Sequence, residues 1–214
     1  MAGCCNARGC DAFFGERFAR RAARRYRRRG LDKTARRIVE LLAARGIGGA
    51  TVLEVGGGVG EVQIELLKRG AARTVNLELS PGYEREAQAL LAEAGLADRV
   101  ERRRHDIAVA PDDVEPADVV VLHRVVCCYP DYERLLGAAA ARARRVLVFS
   151  HPPYNGISRA FVAAQNLIFA ALRREFRAFV HPPDAMVAVV RREGLDTAFA
   201  HTGRMWEVKG LARS

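Results

Sequence analysis

The stretch Val52-Leu53-Glu54-Val55-Gly56-Gly57-Gly58-Val59-Gly60 sets the tightest limit on the fold. A short β-branched run gives way to glycines, and a helix-forming segment, Glu61 to Arg69, follows at once. Glycine lets the backbone take positive φ and approach a ligand closely. The start of a helix presents free N–H groups beside it. The same alternation continues downstream. Thr74 to Leu79, Val100 to Arg104, Ala117 to Leu122 and Arg145 to Phe149 read as strands, with helices over Tyr83 to Ala94 and Tyr132 to Ala143 between them. Continuous apolar runs such as Ala117 to Leu122 predict strands covered on both faces. Strands alternating with helices predict an α/β, Rossmann-like, doubly wound, mostly parallel seven-stranded sheet. Its tail differs: after helices over Ile157 to Arg173 and Pro183 to Glu193, Thr197 to Thr202 and Trp206 to Leu211 read as an antiparallel hairpin at the sheet edge.

Ahead of the glycine strand, residues 11–45 read as one or two helices. Phe14, Phe18, Ala22 and Tyr26 recur every four residues with arginines between them, and Gly30 breaks the run. Asp32 is placed to cap a second helix with an apolar face of Ala35, Ile38, Leu41 and Leu42. The chain therefore divides into a basic helical extension, 1–45, and a main domain, 46–214. Eleven of the 35 Lys/Arg residues, against three acids, lie between Glu16 and Glu40, so a nearly neutral body wears a basic collar. Such a collar suits RNA, anionic lipid or an acidic substrate, although charge runs are usually solvated faces.

Half the residues are apolar and 28% are charged, which excludes wholesale disorder. With no apolar leader and no stretch of about 18 uninterrupted apolar residues, a cytoplasmic location is expected, with at most peripheral membrane contact. Cys4, Cys5, Cys10, Cys127 and Cys128 do not form a disulfide framework. Adjacent pairs suit a tetrahedral metal site poorly, so no metal site is assigned and the cysteines read as a tail and two small core residues, with a soft-metal thiolate cluster as the alternative if the amino terminus folds over Cys127 and Cys128.

Three ligand classes use such a glycine loop. A phosphate loop needs Gly-x4-Gly-Lys-Ser/Thr, which is absent. The dinucleotide fingerprint fails in both registers, because its third glycine falls on Glu61 or Gln63. Glu61 at a helix amino terminus would also repel a pyrophosphate. A cationic ligand without phosphate remains. At this point the sequence resembles the class I S-adenosylmethionine-dependent methyltransferases. Their first motif, acidic-x-Gly-x-Gly-x-Gly, is matched by Glu54, Gly56, Gly58 and Gly60. The resemblance makes Glu78, at the end of the second strand, the acid that binds the ribose hydroxyls. It makes Asp106, after the third strand, the acid that faces the adenine amino group. It implies S-adenosyl-L-methionine as cofactor, with Glu54 supporting the loop and the methionine ammonium.

The residue after the fourth strand lines the acceptor space in such folds, so His123 is a candidate general base. Tyr129 is a candidate for orienting the acceptor, and both residues also read as pocket wall or core. His151-Pro152-Pro153-Tyr154 resembles the Asn/Asp/Ser-Pro-Pro-aromatic motif of amino-group methyltransferases. It follows the fifth strand rather than the fourth and lacks the initial carbonyl or hydroxyl, so N-methylation is disfavoured, while His151 and Tyr154 stay as candidate pocket residues. Ala160 to Phe169 is apolar nearly all round, which predicts a buried helix or a lid over a greasy acceptor. A more distant similarity to the magnesium-protoporphyrin O-methyltransferases rests on the helix Leu31 to Leu42 before the glycine strand and on the order helix, strand, Trp206-Glu207-Val208 at the carboxyl end. The expected activity is methyl transfer to oxygen or carbon of a small, apolar acceptor such as a quinone, porphyrin, polyketide or lipid-like molecule. The alternatives are an RNA-directed methyltransferase and a non-catalytic binding module that uses the arginine collar.

Overall fold

The computed structural model describes residues 13–213. Two helices lead in, α1 (Glu16–Arg29) and α2 (Lys33–Ala43). The alternation follows as β1 (Thr51–Val55), α3 (Glu61–Lys68), β2 (Arg73–Leu77), α4 (Glu84–Ala94), β3 (Val100–Arg103), β4 (Ala117–Leu122), α5 (Tyr132–Ala141) and β5 (Ala143–His151). The chain ends with α6 (Gly156–Ala171), α7 (Pro183–Arg192), β6 (Asp196–His201) and β7 (Glu207–Ala212). The seven strands form one sheet in the order β3-β2-β1-β4-β5-β7-β6. The first five are parallel; β7 runs antiparallel to β5, and β6 pairs with β7 at the edge.

This order places the site. From β1 the chain winds one way to β2 and β3, then crosses back to β4 on the other side. The helices after β1 and β4 therefore part, and a crevice opens at the carboxyl ends of these two strands. Central strands read as apolar runs because both faces are covered: Val119 to Leu122 and Val146 to Phe149 are buried throughout.

The lead-in helices pack on the body. Asp32 caps α2 by accepting from the Thr34 and Ala35 N–H groups, at 2.9 and 3.0 Å. The buried face of α2 is Ala35, Ile38, Val39 and Leu42, in one core with Val52 and Ile64. On α1 the buried residues are Ala19 and Ala23, not the aromatic stripe. Phe14, Phe18 and Ala22 instead line the crevice. Tyr26 donates to Glu65 at 2.8 Å, and burial together with that carboxylate pushes its phenol well above the ordinary range. Three of the eight arginines between Arg17 and Arg29 are tied to the body or to their own helix: Arg20, Arg25 and Arg27 pair with Glu16, Glu61 and Glu93. Arg17, Arg24, Arg28 and Arg29 are exposed and make no ion pair among the described residues.

The apolar segment within Ala160 to Phe169 is a helix but not a buried one. Along α6 only Phe169 is buried, whereas Phe161 and Leu167 are 69% and 73% exposed. Composition set the expectation, but among the described residues no element packs over that face.

At the edge, Gly210 of β7 sits opposite Phe199 of β6. A Cβ at Gly210 would lie 2.1 Å from the Phe199 ring, whose face carries the Arg45 guanidinium at 4.2 Å. Gly210→Ala is expected to cost about 1 to 3 kcal/mol by overpacking, a fall of about 2 to 12 °C in Tm. A melting curve equal to wild type would show that the ring does not cover the strand.

Candidate functional site

The crevice is a cavity of about 440 Å³ at the carboxyl ends of β1, β2 and β4, roofed by the aromatic side of α1. That volume is within the ordinary range for small-molecule sites. The turn after β1 forms its floor. Gly56 has φ 66°, its N–H donates to the Leu77 carbonyl at 2.7 Å, and a Cβ there would stand 2.6 Å from Val125. Gly58 has φ 55°, and a Cβ would stand 3.2 Å from the Tyr83 ring. Both positions need positive φ and closeness to a neighbour, which only glycine supplies without strain. Gly60, also at positive φ, forms the N-cap of α3.

Three of the acids singled out in the sequence open on this one cavity, together with Glu61 at the first turn of α3. Glu78 follows β2 directly and accepts from the Gly58 N–H through Oε2 and the Ser80 N–H through Oε1, both at 2.9 Å. Burial nevertheless raises its pKa, against those two donors. Glu54 is buried, and its Oε2 has no hydrogen-bond partner. Burial, with Glu61 and Glu78 nearby, pushes its pKa up to about 8. Asp106 accepts from the Ala108 N–H at 3.0 Å and from the Tyr129 hydroxyl at 3.2 Å. The Arg102 guanidinium donates to the Gly58 carbonyl and to Glu84, bracing the turn from outside. Crowded, partly neutralised carboxylates around an unpartnered buried oxygen make a site that gains from a cation.

His123 also lines the cavity; its Nδ1 is engaged, while its buried Nε2 has no hydrogen-bond partner among the described residues. Nδ1 lies 3.0 Å from Ser150 Oγ, which itself accepts from the Arg124 N–H at 2.9 Å. Nε2 faces Asp32 Oδ2 at 3.9 Å. The consistent assignment puts the serine proton toward Nδ1 and the imidazole proton on Nε2, since a bare Nε2 lone pair would oppose the carboxylate. Burial lowers the pKa of His123, so the ring is neutral. Asp32 is also partly buried, but the nearby His123 ring, the hydrogen bond from the Ala35 N–H and the Arg124 charge hold it well below the usual carboxylate range. Arg124 reaches Asp32 at 2.9 Å, Arg25 reaches Asp32 at 3.5 Å, and Arg25 reaches Glu61 at 2.9 Å. This network joins α1, α2, α3 and the turn after β4. In the sequence Asp32 carried only its capping role and Arg25 only its place in the basic collar, while Arg124 and Ser150 carried no signal, because each acquires its role here through a contact distant along the chain.

The structure brings Glu54, Gly56, Gly58, Glu78, Asp106, His123 and Tyr129 to one cavity. It does not bring Gly60, His151 or Tyr154 there. Strand β5 extends to His151, whose buried ring donates from Nδ1 to the Pro152 carbonyl at 2.9 Å and lies 3.8 Å from Glu207 on β7. Tyr154 is 45% exposed, with Arg159 over its ring at 5.7 Å. The extra turnless residues at the end of β5 carry this motif past the cavity. Cys4, Cys5 and Cys10 lie outside the described residues.

Sheet order, glycine turn and strand-end acids together define a class I methyltransferase fold. The family model described as "Methyltransferase domain" matches residues 23–203, and the chain belongs to that family. Its activity is methyl transfer from S-adenosylmethionine. Among solved structures, magnesium protoporphyrin IX methyltransferase from Synechocystis PCC 6803 with bound S-adenosylhomocysteine superposes with TM-score 0.70 at 20% identity, over 85% of this chain and 82% of that one. An O-methyltransferase family protein from Burkholderia thailandensis gives 0.68 at 21% identity, over 85% and 57%. Mitomycin 7-O-methyltransferase gives 0.64 at 22% identity, over 89% and 57%. At these identities the likeness is one of fold. No curated protein matches the sequence. No helix among the described residues is long and apolar enough to cross a membrane.

Proposed function

We propose that this cavity holds S-adenosylmethionine and methylates oxygen or carbon of a small, largely apolar acceptor. The observation that carries the reading is the joint opening of Glu78 and Asp106, from successive strand ends, onto the cavity floored by the Gly56–Gly58 turn. The cofactor supplies an electrophilic methyl group on a sulfonium. Glu78 takes the ribose hydroxyls, with its two backbone donors fixing the carboxylate. Asp106, steadied by Tyr129, faces the base. Glu54 supplies negative charge beneath the cationic portion. Phe14 just ahead of α1, Phe18 and Ala22 on it, and Val125 form an apolar wall for the acceptor and exclude water, which favours alignment for in-line displacement.

His123 serves in this reading as a positioning residue, because its Nδ1 and Nε2 are turned to Ser150 and Asp32. A base is needed only where the acceptor must lose a proton. His151 and Tyr154 take no part. His123→Gln is then expected to lower kcat without the loss of an acid-side ionisation from the pH profile. Disappearance of a profile limb in that variant would restore His123 as the base.

The test of the whole reading is calorimetry with S-adenosylhomocysteine, followed by transfer of a labelled methyl group to a panel of hydroxylated aromatic and quinone acceptors. Saturable binding with transfer to at least one acceptor is expected. Absence of binding by the folded protein would sink it.

A further inference from the structure

We propose that α6 is an interfacial docking helix, which lays an apolar stripe on a surface of anionic phospholipid. Ile157, Phe161, Ala164 and Ile168, with Leu172 directly after the last residue of α6, follow at intervals of four, three, four and four, which sets them in one line along a helix. All five are exposed, and the four larger ones are each more than half exposed. Leu167, also exposed, widens the line on one flank. The side turned to the body is the more polar one: Ser158, Gln165 and Asn166 are half-buried there beside Val162 and Phe169. Asn166 fastens it, donating to the Ala178 carbonyl at 2.8 Å and accepting from the Ala178 N–H at 2.9 Å. A helix on a soluble domain does the reverse and turns its apolar stripe to the core. An inverted helix held in place by a side-chain amide presents its apolar side outward by construction, and contiguous exposed apolar patches mark interaction sites.

The charges around the stripe point to its occupant. No acidic residue lies on α6. Arg159 in its first turn, and Arg173 and Arg174 just past its end, are exposed, and none of them pairs with a carboxylate among the described residues. Arginine stems lie along apolar surface while the guanidinium stays in water. A second copy of this chain fits poorly, because two such helices, parallel or antiparallel, set arginine against arginine. The stripe, about 24 Å long and about 10 Å across, is also slight beside the roughly 800 Å² per partner of a standard protein interface. A bilayer surface has neither objection. Its acyl boundary takes the apolar side chains, and its phosphates take the arginines.

Docking there sets the lipid beside the aromatic wall of the cavity. Phe169, the buried residue of α6, meets Phe13 at 5.4 Å and Phe176 at 5.9 Å between ring centres, and Phe13 stacks on Phe176 at 4.4 Å. Phe14, which lines the cavity, meets Phe176 edge-on at 5.2 Å. The rings thus form a continuous apolar link from α6 to the cavity. Lipid docking does not rest on the reading of that cavity as a methyl-transfer site, and its measurement needs no cofactor.

Vesicle flotation of the full chain is the test, with phosphatidylcholine alone and with equal parts of phosphatidylcholine and phosphatidylglycerol. Binding to the anionic vesicles is expected, weaker on the neutral ones and reduced by salt. Phe161→Gln with Ile168→Gln removes apolar depth, leaves every charge in place, and should weaken binding about 10- to 100-fold. Arg159→Gln with Arg173→Gln and Arg174→Gln should weaken it about 100-fold, from about fivefold per arginine near an anionic surface. No binding to the anionic vesicles would overturn the proposal. So would full binding by the Phe161→Gln, Ile168→Gln chain, since the arginines of α1 would then hold the lipid. A dimer in lipid-free solution that this variant dissociates would overturn it too, giving the stripe to a second copy. Should either variant melt well below wild type, hydroxyl-radical footprinting of the unaltered chain decides: protection of Phe161 and Leu172 by anionic vesicles supports the docking helix, and protection confined to other residues refutes it.

Discussion

Glu78→Ala should weaken S-adenosylhomocysteine binding by about 1 to 3 kcal/mol, the range for unmaking hydrogen bonds to a charged group, or about 5- to 150-fold in Kd. Glu78 is spaced to do two tasks. Each oxygen already takes a backbone N–H, from Gly58 and from Ser80, which leaves further lone pairs on the carboxylate for a vicinal diol. Alanine removes the diol's acceptor and also frees the Gly58 N–H in the cavity floor. Part of the loss is therefore positional, and the unliganded protein should melt somewhat lower as well. Gln separates the two effects. Its single carbonyl oxygen keeps one backbone donor, while its amide nitrogen faces the other donor and cannot accept. Calorimetry on both variants, with melting curves of the free proteins, measures this. An unchanged Kd in a well-folded Glu78→Ala protein would remove Glu78 from the site and leave Asp106 without its companion.

Much of this architecture is legible in the chain because its signals are local. The change from helical spacing to β-branched runs marks each strand within a few residues, and Glu54 to Gly60 marks the turn at which the first strand ends. Glu78 and Asp106 could be placed from sequence since each sits just past a strand end. What was not legible depends on contacts between distant segments. Asp32 reads as a helix cap and is one, yet the same carboxylate also meets His123, Arg124 and Arg25. Composition marks α6 as apolar but cannot say which face finds a neighbour. His151-Pro152-Pro153-Tyr154 is misread for a subtler reason. Its residue types suit a pocket, but β5 pairs with β7 as far as His151 against Glu207, and the segment does not line the cavity. The stripe Phe14, Phe18 and Ala22 shows the reverse: correct in period, it faces the cavity while the small residues Ala19 and Ala23 take the core.

Glu54→Gln should make the unliganded protein more stable at alkaline pH while making it a poorer binder of the cationic cofactor. The sign follows from the direction of the shift. The folded-state pKa of Glu54 is raised from 4.5 to about 8, mainly by burial. The folded chain therefore holds a proton that the unfolded chain releases. The stability contributed by that proton is complete below about 4.5 and is lost as pH rises toward about 8. Glutamine copies the protonated shape without the option of charge. The two proteins should melt together near pH 4.5 and separate steadily above it, reaching about 2 to 4 kcal/mol in favour of Glu54→Gln at pH 8, or about 4 to 16 °C in Tm. A cation bound beneath this carboxylate reverses the balance. It lowers the pKa of Glu54, so binding of S-adenosylmethionine by wild type between pH 7 and 8 should release a proton, seen as a binding enthalpy that depends on the buffer's ionisation enthalpy. The variant should lose both that dependence and part of the affinity. A residue kept only for packing would behave otherwise: its neutral isostere would bind as wild type does. Equal proton release in the two proteins, or a Glu54→Gln chain no more stable at pH 8, would mean that the buried carboxylate is not held in reserve for a positive ligand. The expected outcome would instead show the fold carrying a charge that costs it stability when empty and that the cofactor alone neutralises.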